Sequence, residues 1–349
     1  MSALDLATSL GHEEVVLVRD EAAGLHAVIA IHDTTLGPAA GGPRMQPYAS
    51  LDAAMVDALR LSRAMTAKAV MADVGRGGGK AVILGDPGRD KSRALLQAYA
   101  RAVERLGGRF HTGPDVGIDG RDVAVLARHT KHVSHTAEGA KVTVADLTAI
   151  GVLEAVRTVA RRLGGELSGL RVAIQGLGQV GLRLARLLAG EGARLTVADV
   201  DEGRVERAAR ELRAERVSHQ AIYDVAADIF SPNALGGVLN DATLPRLRVR
   251  AICGAANEQL QEPRHGDRLH EAGVLYAPDY VVNAGGLLSL LFELGEIDEE
   301  GIVRRVKGIG SRVGDLFARA EQEAVPPFRV ADRVVEERLA EARARRKVR

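Results

Sequence analysis

The chain has 349 residues, of which 46% are hydrophobic and 27% are charged, a mixture typical of a globular protein long enough for two domains. A formal net charge of +1 and an aromatic content of 3% argue against nucleic-acid binding, which needs a strong basic excess or stacking platforms. No apolar run approaches the roughly 20 residues that span a bilayer. The single cysteine, Cys253, excludes an intrachain disulfide and favours the cytoplasm, and the scattered histidines predict no metal site.

The first part of the chain alternates between strand and helix patterns. Two strands, EEVVLVRD and LHAVIAIHD, precede a helical pattern that begins near Ser50 and the strand KAVIL. Two shorter helices are predicted in KSRALLQAYARAVERL and RDVAVLARH, and a long one in TVADLTAIGVLEAVRTVARRL. These elements predict an N-terminal α/β domain over residues 1–145.

From Leu170 onward, short apolar strands alternate tightly with helices. The strand LRVAIQ, the helix that follows GLGQVG and the strand RLTVADVD make one strand–helix–strand unit. Further strands are predicted in ADIFSPNA, RAICGAAN and VLYAPD. This alternation predicts an α/β protein whose second domain, residues 146–325, is a Rossmann-type doubly wound sheet.

The segment GLGQVG matches the G-x-G-x-x-G fingerprint of dinucleotide-binding domains. Its residues are Gly176, Leu177, Gly178, Gln179, Val180 and Gly181. The first glycine makes the tight turn, the second lets the backbone approach a pyrophosphate, and the third lets helix and strand pack closely. The motif alone is weak, but here it follows a predicted strand and opens a helix, which is its expected context.

Asp199 ends the next predicted strand, where a carboxylate accepts the ribose hydroxyls of NAD and repels the 2′-phosphate of NADP. The alternative is an ordinary surface aspartate, and Arg204 close behind it would soften the discrimination. We predict NAD as the cofactor.

Three glycines stand directly before Lys80 in VGRGGGKAVI. Glycine is costly to order and is used where the backbone needs an unusual dihedral angle or a close approach. Two interpretations follow. The run is either a flexible loop with a solvated lysine, or a backbone cleared of side chains so that a small ligand can reach the ammonium group.

Six segments occur in the order found in one known family. They are GPAAGGPRM, RAMTAKAVMADVGRGGGKAVI, TGPDVG, GLGQVG, GAANEQL and APDYVVNAGG. From about Val15 to about Leu339 the chain resembles the glutamate, leucine, valine and phenylalanine dehydrogenases, and the branched-chain and aromatic members most of all. The resemblance implies that an L-amino acid, NAD and water give a 2-oxo acid, ammonia and NADH. It also implies a homo-oligomer assembled through the first domain, and a C-terminal helix, residues 326–349, that returns to that domain.

The resemblance assigns chemical roles to three residues of the first domain. Lys68 would bind the substrate α-carboxylate, Lys80 would act as general acid/base, and Asp115 would relay protons and bind the amino group. Attack of water on an imine needs a base near neutrality, whereas free lysine titrates near 10.4. Burial and a neighbouring Lys68 would lower the pKa of Lys80, and a close carboxylate would oppose them. On this basis the glycines are predicted to clear the space that the substrate occupies beside Lys80.

The resemblance also assigns the substrate pocket and the nicotinamide contacts. The pocket residues would be Ala40, Gly41, Gly42, Asn257, Asn283, Leu287 and Leu290, and the cofactor contacts would include Thr148 and Asn257. For the polar members, the alternative is a loop cap. Glutamate enzymes carry a lysine where this chain has Ala40, and a small apolar residue cannot compensate for desolvating a second carboxylate. An apolar amino acid, branched-chain or aromatic, is therefore the predicted substrate.

Two features depart from the family pattern. The segment AEGAKVTVADLT, residues 137–148, is shorter than usual and lacks the serine and prolines. Arg76 replaces an apolar residue and is expected either to lower the pKa of Lys80 or to point to solvent. These departures leave an alternative, an NAD-binding homologue with little or no dehydrogenase activity. A third possibility is a two-domain oxidoreductase acting on a hydroxy acid, which the paired lysines and the absence of a catalytic histidine motif argue against.

Overall fold

The computed structural model describes residues 2–134 and 141–347 and divides into two compact units. Unit 1 comprises Met1–Gly139, Glu293–Glu296 and Val335–Arg349, and unit 2 comprises Ala140–Phe292 and Ile297–Val334. Each unit contains its own six-stranded sheet. Within the described residues, no helix is both long and apolar enough to cross a membrane.

Unit 1 is a mixed sheet with helices on both faces. Its strands are β1 (Glu14–Asp20), β2 (Leu25–Asp33), β3 (Ala39–Ala40), β4 (Pro43–Gln46), β5 (Gly77–Leu84) and β6 (Phe110–His111). Its helices are α1 (Ala3–Leu10), α2 (Leu51–Ala72), α3 (Arg93–Arg105) and α4 (Gly120–Leu126). The strand order is β1-β2-β5-β3-β6, and β4 also pairs with β5. The strand β2 runs antiparallel to β1 and β5, whereas β3 and β4 run parallel to β5.

Alternating apolar residues of the central strands place one hydrophobic cluster on each face of this sheet. On one face, Ile29 and Ile83 of the sheet pack with Tyr99 of α3. On the other face, Val28 of the sheet packs with Leu59 of α2. Ser50, in extended conformation, caps α2 by accepting a hydrogen bond from Ala53 N, as the sequence pattern predicts.

Unit 2 is a fully parallel sheet in the order β12-β11-β10-β7-β8-β9. Its strands are β7 (Arg171–Gln175), β8 (Arg194–Ala198), β9 (Glu215–Arg216), β10 (Ile229–Pro232), β11 (Ala251–Ile252) and β12 (Leu275–Tyr276). Its helices are α5 (Val144–Arg162), α6 (Gln179–Gly190), α7 (Glu202–Leu212), α8 (Pro263–Glu271), α9 (Asp279–Val282), α10 (Gly285–Glu293), α11 (Glu299–Lys307) and α12 (Ile309–Glu323). The last helix, α13 (Pro327–Lys347), begins in unit 2 and ends in unit 1. The predicted α/β class and the doubly wound arrangement are confirmed.

The glycine run is a strand, so the loop interpretation is wrong. β5 begins at Gly77 and pairs with β2 on one side and with β3 on the other. Such a central position, buried from residue 77 to residue 83, leaves no freedom for a flexible loop.

The glycines of β5 serve the packing of the protein itself. A Cβ atom at Gly78 would overlap Thr66 of α2, and one at Gly79 would lie 2.8 Å from the ring of Phe110. A Cβ atom at Gly77 would overlap the carbonyl oxygen of Asp33. The expectation that these glycines clear space for the substrate is therefore wrong, because protein atoms occupy that space.

A pair of histidines in unit 1 predicts loss of stability in acid. His12 and His32 lie edge to face with ring centroids 4.8 Å apart, and burial lowers the pKa of His12 from 6.5 to about 4. Since the folded state then binds fewer protons than the unfolded chain, this stability is complete above pH 6.5 and is lost as the pH falls toward 4. We expect the free energy of unfolding to drop by about 1–2 kcal/mol at pH 5 for this reason. Urea unfolding at pH 7.5 and pH 5 measures it.

The substitution His12→Gln isolates this contribution, because an amide can still donate to Ser62 Oγ, which lies 2.8 Å from His12 Nε2. The variant should show a smaller difference between the two pH values than the wild type. Equal differences in the two proteins would mean that other groups cause the acid sensitivity.

Candidate active site

Lys80 and Asp115 form a shielded ion pair in unit 1. Lys80 is 7% exposed on β5, and its Nζ donates to Asp115 Oδ2. The other carboxylate oxygen, Oδ1, accepts a hydrogen bond of 2.7 Å from the backbone N–H of Val116. A lysine and a carboxylate held together and largely away from water can pass a proton between them and to a bound substrate.

A lysine that sequence reasoning missed anchors the turn that carries Asp115. Lys91 Nζ donates to Gly117 O at 3.0 Å and to Asp122 Oδ2 at 2.7 Å. Asp115 and Ile118 also exchange backbone hydrogen bonds of 2.9 and 3.2 Å across this turn. The signal was present in the sequence. Lys91 comes directly before a helix N-cap, where the positive end of the helix dipole disfavours a cation. This position predicts that its ammonium group pairs with an acceptor elsewhere in the chain.

Lys68 lies half-buried in the last two turns of α2, the helix that packs on β5. Thr66, two residues earlier, contacts Gly78, which is two residues before Lys80. The two predicted lysines thus belong to adjoining elements of unit 1. Two cations in one part of a fold suit an anionic substrate group.

Arg76 neither points to solvent nor stands as an unpaired cation. Its side chain is 14% exposed, and it donates to Glu296 and, at 3.2 Å, to Gly75 O. The alternative in which Arg76 points to solvent is therefore wrong, and the carboxylate of Glu296 offsets its charge. An effect of Arg76 on the pKa of Lys80 stays a prediction.

The segment Ala40–Gly41–Gly42 lies against the glycine run. Ala40 of β3 pairs with Gly78 on one side and with His111 on the other, and Gly41 N donates to His111 O at 3.0 Å. A Cβ atom at Gly41 would overlap the backbone of β5, and one at Gly42 would lie 2.5 Å from Pro114 O. The structure therefore brings Ala40, Gly41 and Gly42 close to the strand of Lys80 and the segment of Asp115.

Unit 2 contains the predicted dinucleotide fingerprint between β7 and α6. Gly176 has a positive φ of 91°, as a tight turn requires, and a Cβ atom at Gly181 would overlap Gly176 O. Gly178 is the N-cap of α6 and makes no side-chain capping bond, and no described atom lies within 4 Å of its Cβ position. The first N–H groups of α6 are thus open to a phosphate, and its first turn begins with the exposed Gln179 and the half-buried Val180.

Asp199 follows β8 and is 7% exposed. Its two oxygens accept hydrogen bonds from the backbone, Oδ2 from Leu177 N at 2.6 Å and Oδ1 from Asp201 N at 2.9 Å. Arg204 lies 3.8 Å from Oδ1. The carboxylate therefore fastens the glycine turn and still has lone pairs for a ribose, a role beyond the one that the motif predicts.

Asn283 and Asn257 lie together in unit 2. Asn283 Nδ2 donates to Asn257 Oδ1 at 2.8 Å and to Ala255 O at 3.1 Å. Asn283 Oδ1 is buried and accepts no hydrogen bond from the residues that the structure describes. A buried acceptor of this kind is costly, so it fits a donor group of a bound ligand such as a carboxamide or an amine. The residues of unit 2 thus fit a dinucleotide.

Thr148 packs near the start of α10. Its Oγ1 donates to Val144 O at 2.8 Å and would lie 3.0 Å from a Cβ atom at Gly286. Leu287 is half-buried and Leu290 is 5% exposed on the same helix. Thr143 caps α5, but residues 137–140 of the atypical segment before Thr148 lie outside the described residues. Across residues 2–134 and 141–347, no cluster of histidine, cysteine and acidic side chains is arranged to hold a metal ion.

The comparisons with known proteins agree with this architecture. Residues 12–136 match the dimerisation domain of the Glu/Leu/Phe/Val dehydrogenases, and residues 139–207 and 198–346 match the second domain of the same family. The chain is 42% identical over 339 residues to leucine dehydrogenase from Geobacillus stearothermophilus, covering 96% of this chain and 92% of the relative. It is 45% identical over 335 residues to phenylalanine dehydrogenase from Thermoactinomyces intermedius, covering 94% and 92%.

A solved structure, L-tryptophan dehydrogenase from Nostoc punctiforme, superposes with a TM-score of 0.84 at 40% identity and covers 98% of this chain and 99% of its own. The resemblance read from the motifs is confirmed over both units. The chain belongs to the Glu/Leu/Phe/Val dehydrogenase family and is an oxidoreductase of the amino-acid dehydrogenase class.

Proposed function

We propose that the protein catalyses the reversible, NAD-dependent oxidative deamination of an apolar L-amino acid, branched-chain or aromatic, to its 2-oxo acid and ammonia. The observation that carries this proposal is the shielded Lys80–Asp115 pair in the unit that also holds Lys68. This combination offers a cation for an α-carboxylate and a proton-transferring pair for an amino group.

Each residue has a distinct role in the proposed reaction. Lys68 binds the α-carboxylate, and Asp115 accepts a hydrogen bond from the amino group. NAD, held by the glycine turn and Asp199, would supply the acceptor for the hydride of the substrate Cα. Lys80 takes a proton from the water that attacks the imine carbon and returns one to the departing ammonia. Because Asp115 is fixed by Val116 N and by the Lys91-anchored turn, little reorganisation is needed during these proton transfers.

The substrate side chain is proposed to meet apolar or small residues only. Ala40, Gly41 and Gly42 supply no charge in unit 1, and Leu287 and Leu290 supply aliphatic surface in unit 2. This set disfavours glutamate, whose second carboxylate would be left desolvated. Relatives named for leucine, phenylalanine and tryptophan all align along most of the chain, so branched-chain and aromatic substrates both stay within the proposal.

NAD is proposed as the cofactor because Asp199 places a carboxylate beside the glycine turn. In the variant Asp199→Ala, we expect the ratio of the Kd for NADH to the Kd for NADPH to rise at least tenfold. The removed carboxylate both accepts from the ribose and repels a 2′-phosphate, and Arg204 would then be available to that phosphate. Fluorescence titration with NADH and NADPH measures the two constants.

The variant Asp199→Asn separates the loss of the negative charge from the loss of the hydrogen bonds that hold the glycine turn. It removes the charge, but its amide oxygen can still accept one of the two backbone hydrogen bonds. An equal weakening of NADH and NADPH binding in both variants would remove Asp199 from cofactor selection.

Oxidation of NADH by a 2-oxo acid in the presence and absence of ammonia tests the reaction class. We expect oxidation to depend on ammonia and to follow the ammonia concentration. Oxidation without ammonia would instead indicate a hydroxy-acid dehydrogenase, and no oxidation at all would favour a homologue that binds NAD without turnover.

The protein is further proposed to act as a homo-oligomer in the cytoplasm. The matched description of residues 12–136 as a dimerisation domain supports the assembly. The single cysteine, Cys253, is buried and forms no disulfide, which suits a reducing compartment.

A further inference from the structure

His32 lies at a break in the strand ladder directly opposite the glycine run. The antiparallel pairing of β2 and β5 passes from Ile31–Gly79 to Asp33–Gly78, so that His32 is the extra residue of a β-bulge. Bulges redirect a side chain out of the regular pleat and often lie beside active sites. Here the bulge directs the imidazole to α2, where Nδ1 lies 2.7 Å from Thr66 Oγ1.

The neighbours of His32 fix the direction of this hydrogen bond. Its Nε2 lies 3.0 Å from Leu10 O, and a carbonyl oxygen can only accept, so Nε2 carries the proton. Burial lowers the pKa of His32, so the ring is neutral at neutral pH and Nδ1 is an acceptor. The Thr66 hydroxyl therefore donates to Nδ1, since its other acceptor, Ser62 O, lies farther away at 3.4 Å.

Thr66 in turn connects the elements that carry the two lysines. It is 2% exposed, and its backbone and side chain fill the position that a Cβ atom at Gly78 would occupy. Gly78 and Lys80 are two residues apart on β5, so they share one face of the strand. Lys68 follows Thr66 by two residues, about 3 Å further along the axis of α2.

We propose that His32 and Thr66 are positioning residues, which together hold the turn of α2 that carries Lys68 at a fixed offset from the strand that carries Lys80. The catalytic roles of the lysines rest on the proposed function, whereas the geometric coupling does not. Neither residue touches the substrate in this account. The pair acts by keeping constant the distance between the ammonium group of Lys68, which binds the carboxylate, and that of Lys80, which transfers protons.

The substitution Thr66→Val tests this coupling, because valine keeps the shape that packs on Gly78 but removes the hydroxyl donor. We expect kcat/KM for the amino acid to fall about tenfold, through a higher KM for the amino acid and with the KM for NAD unchanged. Thr66→Ser keeps the donor and should stay within about threefold of the wild type. A matched control is Thr158→Val, which removes a buried hydroxyl that donates to Gly310 O at 3.0 Å in unit 2 and should leave these constants unchanged.

A second readout does not depend on activity. The chain has seven lysines, so competitive acetylation at several pH values, followed by peptide mass spectrometry, can report the midpoint of each. We expect Thr66→Val to move the midpoint of Lys68 or Lys80 by several tenths of a pH unit and to leave the other five in place.

Unchanged midpoints together with an unchanged kcat/KM would overturn the proposal, even if the melting temperature fell, because the hydrogen bond would then only stabilise the fold. If the wild-type protein turned over no amino acid, the proposed function would fail. The labelling result would still decide whether His32 and Thr66 position the lysines.

Discussion

Replacement of Lys80 by alanine is expected to reduce kcat by about 10³-fold or more, since proton transfer by a positioned side chain contributes roughly 10²–10⁴-fold. The variant loses the group that exchanges protons with water and ammonia, and it also leaves Asp115 shielded without its cation. NADH binding should stay nearly unchanged, because the glycine turn and Asp199 belong to unit 2. Steady-state kinetics and fluorescence titration with NADH measure the two quantities.

Two further variants separate chemistry from folding in this prediction. Lys80→Arg keeps a cation for Asp115 but cannot act as a base near neutrality, so it should be as inactive as the alanine variant and more stable. Lys131→Ala removes an exposed lysine of unit 1 and should leave kcat unchanged. Wild-type kcat in Lys80→Ala would remove the general acid/base role from this residue.

The second large effect is expected for Gly78→Ala. The added methyl group would overlap both the side chain and the backbone of Thr66, so α2 must move away from β5. Overpacking of this kind costs about 3 kcal/mol or more when backbone has to shift. Activity should fall with stability, since the moved helix carries Lys68. Urea unfolding monitored by circular dichroism gives the change in the free energy of unfolding.

Gly120→Ala is the matched control for this experiment. Gly120 is the first residue of α4, and no described atom lies within 4 Å of its Cβ position. Alanine there should change stability by no more than about 0.5 kcal/mol. If Gly78→Ala were as stable as this control, the close contact between α2 and β5 would not constrain the strand.

Elements with a strong local signal were predictable from the sequence. The strand–turn–helix around Gly176, Gly178 and Gly181 is specified by adjacent residues, and short continuous apolar runs specify β2 and β7. The family motifs also pointed to Lys80 and Asp115, which the structure brings into contact.

Features that depend on distant residues were not predictable in this way. Arg76 pairs with Glu296, which lies 220 residues away in the sequence, and no local sequence pattern predicts that pairing. Both interpretations of the glycine run, a flexible loop and a backbone cleared for a ligand, were wrong, because the glycines are explained by the packing of Thr66 and Phe110, which are distant in the sequence. The bulge at His32 likewise arises from strand pairing and leaves no trace in the periodicity of β2.

The most direct measurement of the central claim is NADH formation at alkaline pH with a panel of L-amino acids, namely leucine, valine, phenylalanine, tryptophan and glutamate. The proposed function predicts turnover with at least one apolar member and none with glutamate. Preference for glutamate would contradict the pocket assigned around Ala40. If protein that binds NADH formed no NADH with any amino acid of the panel, the result would contradict the dehydrogenase activity itself.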